Sequence, residues 1–387
     1  VNDGSQRFPN FRFDKFLQES RMVKKAAALF LVCASMILWV GCTSTSSRFL
    51  YAAIPGSNQI SVYREDPNSG ILTQLTGSPI TAGPGVQALA MHPSGKFLYA
   101  ANSGEGDVSL FDIAPAGTLT EVTPRAVVGV APTLLAMDSA GTFLYVGNSG
   151  SFNISVFSID ATNGALTPVP QTSGQFAPIG ITPINMQVSP SGGILYVTGP
   201  SNGMGLSGVI EAFTLNQGVL TALAPTSFFF TGTNPYGLAI EFGSNGDFLY
   251  TANNIDDSIS EFTVNADGSL SQFPNSPLGV QYAGPLALLV DKSGKYLFVA
   301  NQSTSFLTGY SVGSNGALTL LTSSPFAVGS NPTVIASDPD GNYLFVGNQK
   351  TPVVQSFNLN TSSGALTSVA SYPLPGNPTS FAITPKP

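Results

Sequence analysis

The chain has 387 residues, and its 43% apolar content suits one large all-β domain with a buried core. Charged residues make up only 9%, against about 25% in an average soluble protein, and 41 glycines and 29 prolines fit turns and strands exposed outside the cell. The formal net charge of −7 excludes a basic stripe for nucleic acid and gives an anionic membrane surface nothing to recruit.

The only cysteines, Cys33 and Cys42, lie in an early apolar segment, so a disulfide framework, a cysteine zinc site and a thiol nucleophile are excluded beyond Cys42. Residues 22–42 read MVKKAAALFLVCASMILWVGC: a start, a basic pair, an apolar run from Ala26 to Val40, then Gly41-Cys42. The run is short of the ~20 residues that span a bilayer and has the layout of an export signal. It resembles a bacterial lipoprotein signal, which implies acylation of Cys42, although Trp39 stands where that family has Leu. An uncleaved anchor or an ordinary signal peptide is the alternative. On this reading residues 1–21 are an upstream segment before the true start at Met22, 22–41 are the signal, 42–47 a short tether and 48–387 the folded domain. The mature part then carries eight basic and eighteen acidic residues and no tryptophan. It is expected in the periplasm or at the cell surface, touching the membrane only through its lipidated N-terminus.

From Arg48 onward one motif recurs: RFLYAAI, then MHPSGKFLYAAN (91–102), MDSAGTFLYVGN (137–148), VSPSGGILYVTG (188–199), FGSNGDFLYTAN (242–253), VDKSGKYLFVAN (290–301) and SDPDGNYLFVGN (337–348). The Leu-Tyr or Leu-Phe pairs begin at 50, 98, 144, 195, 249, 297 and 344. Seven copies at that spacing indicate a repeat architecture. Each copy carries four strand-like runs: one after a proline (Pro84, Pro132, Pro183, Pro235, Pro285, Pro332), the FLYVAN run, a third ending in an aromatic, and a fourth after a Gly-x-Leu turn. Four antiparallel strands make a blade, and seven blades closed into a β-propeller remove the exposed sheet edges.

The first copy lacks its post-proline strand, and Pro378–Thr384 is such a strand without a blade. It is expected to become the innermost strand of the first blade and to fasten the ring. His92, the only histidine, aligns with Asp138, Ser189, Gly243, Asp291 and Asp338, which begin turns. It is read as a turn residue that Asp could replace at little cost, on the face opposite the ligand mouth.

The pattern of a proline, a [DHS]-x-x-G turn and [FY]-L-[YF]-[VA]-x-N over residues 48–384 resembles the seven-bladed lactonase family, whose namesake hydrolyses 6-phosphogluconolactone, and is similar to YVTN-type surface propellers. The resemblance implies a ligand mouth on the proline side, with Arg-His after the opening proline and Glu after the strand-ending Asn in enzymatic members. Here the pairs are Gly85-Val86, Thr133-Leu134, Ile184-Asn185, Tyr236-Gly237, Leu286-Ala287, Thr333-Val334 and Thr379-Ser380, and Ser103, Ser149, Asn254, Gln302 and Gln349 follow the asparagines. None is a base at neutral pH. The mouth side holds Arg125 and Lys350, a ring of amides (Asn102, Asn148, Asn253, Asn301, Asn348), and the carboxylates Glu105, Asp107, Asp256 and Asp257. The asparagines either close their own turns or face a ligand. The carboxylates are either solvated charge or, at Asp256 and Asp257, a weak calcium or magnesium site. GPSNGMG (199–205) has glycines but no following helix to cradle a nucleotide.

Three functions follow: a monomeric binding module for a small polar ligand or a surface protein, needing no cofactor; a lactone hydrolase with a displaced site; or a structural surface protein.

Overall fold

The computed structural model describes residues 47–200, 208–243 and 246–386. The expected export signal, Cys42 and the glycine run after Pro200 lie outside them. Among the described residues no helix is long and apolar enough to cross a membrane.

Seven antiparallel sheets form the seven blades of a β-propeller, and every blade but the first begins with its innermost strand. The second blade runs Val86–Met91, Phe97–Asn102, Asp107–Ile113 and Leu119–Val127, from inside outward. Its second strand, FLYAAN, is buried at every position, as are YLFVAN (296–301) and YLFVGN (343–348). These runs read as unbroken apolar stretches because neighbouring sheets cover both of their faces. In five blades the outer edge is shared by two pieces that both pair with the third strand, for example Leu72–Gln74 and Ile80–Thr81 in the first blade. The four-run reading of the sequence missed this interruption, which an intervening turn produces.

The core is a set of seven apolar clusters, one between each pair of successive blades. The ring closes where the sequence places the closure. Ser380–Ile383 pairs with the first blade's leading strand in the register Ala53↔Ser380 to Leu50↔Ile383. The Thr384 side chain accepts the Phe49 N–H at 2.9 Å, extending the seam. The last cluster joins Leu50, Ala52 and Tyr63 to Tyr343, Phe345 and Val354, so first and last blades pack like any other pair. On the face away from the mouth, buried Arg48 bonds Asp338 at 2.9 Å and also pairs with Asp340.

A second contact recurs between blades. Tyr51, Tyr99, Tyr196 and Tyr250 donate their hydroxyls to the carbonyls of Gly117, Gly164, Gly268 and Gly316 in the following blade's outer hairpin. This explains both the tyrosine of Leu-Tyr and the Gly-x-Leu turn. Gly164 has φ +72°, and a Cβ there would lie 2.7 Å from the Phe97 ring of the preceding blade. Gly77 has φ +86° but nothing within 4 Å of a Cβ. Gly77→Ala therefore carries only backbone strain, about 1–2 kcal/mol, whereas Gly164→Ala also forces two blades apart. Urea unfolding of the two variants should show Gly164→Ala as the more destabilised by at least ~1 kcal/mol; equal losses would mean that the hairpin contact does not hold the blades.

Candidate functional site: the mouth of the ring

The mouth forms where each innermost strand begins and each second strand ends. The strand-ending asparagine pairs with the opening residue in the registers Pro132↔Asn148, Pro235↔Asn253, Pro285↔Asn301 and Pro332↔Asn348. The residue after the asparagine then donates its N–H to the loop just before the opening residue, as from Gln302 to Gly284 O at 2.7 Å and from Gln349 to Asn331 O at 2.9 Å. This turns the side chains of Asn254, Gln302 and Gln349 toward the axis. In the second blade the register is Val86↔Asn102, so Val86 takes the opening position and Pro84 lies two residues earlier in the loop. The pair expected at Gly85-Val86 is thus corrected to Gln87-Ala88; the proline marked the loop rather than the start of the strand.

A cavity of about 510 Å³ occupies the mouth. Amides (Asn185, Asn254, Gln302, Gln349) and hydroxyls (Tyr236, Thr333, Thr379, Ser380) alternate around it with Leu134, Ile184, Leu286 and Phe381, and its lining contains no Asp, Glu, His, Lys or Arg. Three of the amides are held by neighbouring blades. Asn185 Nδ2 donates to Tyr236 O at 2.9 Å, Asn254 Nδ2 to Pro285 O at 3.3 Å and Gln349 Nε2 to Pro378 O at 3.2 Å. One N–H of each of these three carboxamides is taken by a carbonyl, which fixes the group and leaves its oxygen as an acceptor and its second N–H as a donor for a ligand.

The positions after the opening prolines and the strand-ending asparagines, from Leu134 and Ile184-Asn185 to Gln349 and Thr379-Ser380, line this cavity, whereas the other residues singled out by the sequence lie elsewhere on this face. The asparagines Asn102, Asn148, Asn253, Asn301 and Asn348 have no exposed surface and sit beneath their own turns, which is the turn-closing alternative of the two and not a ring of amides facing a ligand. Asn102 Nδ2 donates to Asp107 Oδ1 at 2.7 Å and Ser109 Oγ at 2.9 Å, and Asn148 and Asn253 repeat the pattern. The entry loop packs so closely that a Cβ on Gly83 would lie 2.2 Å from the Asn102 carboxamide. A polar strand end fits either a buried turn or an open rim, so sequence alone could not separate them. Arg125 is on the outermost strand of the second blade, paired with Glu105 at 2.6 Å and Glu121 at 2.7 Å and 3.7 Å from Asp107; it is a rim cluster outside the cavity lining. Lys350 is exposed in a turn. Asp256 accepts the Thr233 N–H, and Asp257 accepts the Gly284 N–H at 2.7 Å. Both carboxylates bind entry loops, and among the described residues no group of three or more His, Cys, Asp or Glu is placed to hold a metal ion.

His92 begins its turn on the far face. It is nevertheless buried, with Nδ1 accepting the Ser94 N–H at 3.1 Å and Nε2 3.1 Å from Gly141 O in the next blade. The expectation that Asp replaces it at little cost left out this inter-blade contact, which a shorter side chain does not make.

The fold and mouth define a closed seven-bladed propeller with an uncharged axial cavity. The family model described as "Lactonase, 7-bladed beta-propeller" matches residues 76–182, 173–336 and 287–383, and the chain belongs to that family. Comparison with curated proteins gives no match. Among solved structures, a candidate 6-phosphogluconolactonase from Bacteroides fragilis is 22% identical with a TM-score of 0.73, covering 88% of this chain and 99% of its own. A periplasmic gluconolactonase from Pseudomonas aeruginosa is also 22% identical at 0.73, covering 88% and 100%. A second candidate 6-phosphogluconolactonase, from Bacteroides uniformis, is 19% identical at 0.71, covering 88% and 100%. At these identities the likeness is one of fold.

Two carboxyl groups have the affinity for protons that a general base near neutrality needs, yet neither lines the cavity. Burial pushes Glu211 up to about 7; it accepts the Gly180 N–H at 2.9 Å, in the strand position that holds Ser109 or Ser155 in other blades. Burial, reinforced by Asp338 and opposed by Arg48, likewise pushes Glu65 up to about 7 at the closing seam. A carboxyl group raised in the folded state contributes stability that is full below its unfolded value and is lost as pH rises through the folded one. Wild-type stability should therefore fall between about pH 5 and 8, and Glu65→Gln should remove part of that fall, by roughly 1–3 kcal/mol. Denaturant melts of both proteins at the two pH values test this; parallel pH profiles would show that Glu65 ionises normally.

Proposed function

We propose that the chain is an exported, lipid-anchored propeller that binds a neutral, hydroxyl-rich small molecule in its mouth, acting as a monomeric binding module without a cofactor. The observation that carries the reading is the lining: uncharged throughout, with the carboxamides of Asn185, Asn254 and Gln349 each fixed by one bond to a backbone carbonyl and their oxygens free. Such oxygens accept from hydroxyls, and the leucine, isoleucine and tyrosine surfaces between them suit the less polar faces of a sugar ring or sugar lactone. A phosphorylated ligand finds no basic clamp in this lining. Export rests on the signal-like layout of residues 22–42 and accords with the periplasmic description of the Pseudomonas neighbour.

Lactone hydrolysis is the second reading, favoured by membership of the family. Ring opening needs a base for water and donors for the developing oxyanion. The cavity lining supplies the Tyr236 and Ser380 hydroxyls as donors, those of Thr333 and Thr379 being given to Pro378 O and Gln87 O, but no titratable carboxylate or imidazole.

Calorimetric titration of the full chain with glucose, glucono-δ-lactone and glucose 6-phosphate, at pH 5.5 and 8 with and without calcium, separates the readings. Binding of the neutral compounds should be independent of pH and calcium, the phosphate should bind more weakly, and lactone should open no faster than in buffer. Gln302→Leu should weaken binding about tenfold with an unchanged melting temperature, the loss of one hydrogen bond to a desolvated partner. Saturable lactone turnover would establish the hydrolase instead.

A further inference from the structure

A second cavity of about 530 Å³ adjoins the mouth over the junction of the first and last blades. It lies between the short 3-10 turn Pro55–Ser57 and the loop Pro375–Asn377 that leads into the closing strand, with Gln87 of the second blade on its wall. The two cavities share Gln349 and Thr379. Thr379 donates its hydroxyl to Gln87 O at 2.8 Å, and Gln349 Nε2 is held by Pro378 O, so the side chains between the cavities are fixed in place.

The second lining is also uncharged. Among the described residues the carboxamides of Gln87 and Asn377 make no hydrogen bond, so donors and acceptors alike are available there. Gly56 and Gly376 stand beside them; a Cβ on Gly56 would meet nothing within 4 Å, and one on Gly376 would lie 2.8 Å from the Ile54 side chain. Each cavity alone has the volume of an ordinary small-ligand pocket, about 300–1,000 Å³. Two such neutral cavities joined across a fixed saddle exceed what one sugar ring fills.

Resting on the mouth's reading as a neutral-ligand site, we propose that the second cavity is a further subsite and that the ligand is an extended neutral glycan of at least two linked sugar units. One end sits in the mouth and the other crosses the seam between Ser57 and Asn377. Such a ligand touches residues of the first, second and last blades and thereby clamps the ring at its closure.

The test uses the full chain with glucose and linear glucans of two to four units in the α-1,4 and β-1,4 series, followed by calorimetry and thermal shift. In one series affinity should rise about tenfold or more from one unit to three, as additional hydrogen-bonded units engage. The longer glucan should also raise the melting temperature further than glucose at equal saturation. Asn377→Ala, checked for an unchanged melting temperature without ligand, should lower the trisaccharide-to-glucose affinity ratio at least fivefold, and Gln302→Leu should weaken every length. Affinity that does not change with length, or a ratio insensitive to Asn377→Ala, overturns the second subsite and leaves the mouth's reading intact. Failure of every sugar to bind overturns both.

Discussion

Everything in this molecule depends on the packing of each blade against the next. The FLYAAN, YLFVAN and YLFVGN strands are buried at every position, so such a blade on its own exposes apolar surface on both faces and cannot satisfy it alone. Only a closed set of sheets covers both faces of all of them, and the seven clusters, including the one across the chain ends, are that solution. The tyrosine-to-glycine bonds add direction to a contact that apolar burial leaves loosely defined.

The same packing creates the mouth. Because registers at the inner ends are fixed by the asparagine turns beneath the rim, the residues just beyond them present side chains to the axis while their backbones are committed. The rim can thus change chemistry without disturbing the blades. In this chain it carries amides and hydroxyls, and the charged residues of that face are engaged in loops and at the periphery: Asp257 with Gly284, Arg125 with Glu105 and Glu121. Family membership fixes the scaffold, and the lining fixes what it can hold.

The architecture was legible because it is written repeatedly: fully buried strands read as apolar runs, Gly-x-Leu marks hairpins that neighbouring aromatics require, and PTSFAIT is a strand with no blade of its own. The site was less legible because it is written once per position. Asn254, Gln302 and Gln349 share one place in their copies, directly after the strand-ending asparagine, and Asn185 follows an opening proline, but they vary in type from copy to copy, so the repeat marks the positions and not the chemistry they hold. The conspicuous repeated asparagines turned out to be buried scaffolding. Pro84 misplaced the second blade's opening by two residues, since a proline fits the loop as well as the strand start. Arg48 and Asp338 lie 290 positions apart, and nothing local relates them.

Calorimetric unfolding of the chain ending at Asn377 is the most direct test of the account. Removing Ser380–Ile383 deprives the first blade of its inner strand and the mouth of Thr379, Ser380 and Phe381. One cooperative transition is expected at a clearly lower temperature, with ligand binding at the mouth lost. An unshifted transition, or a small separate one that leaves the rest of the ring unaffected, would contradict the claim that closure holds the whole structure.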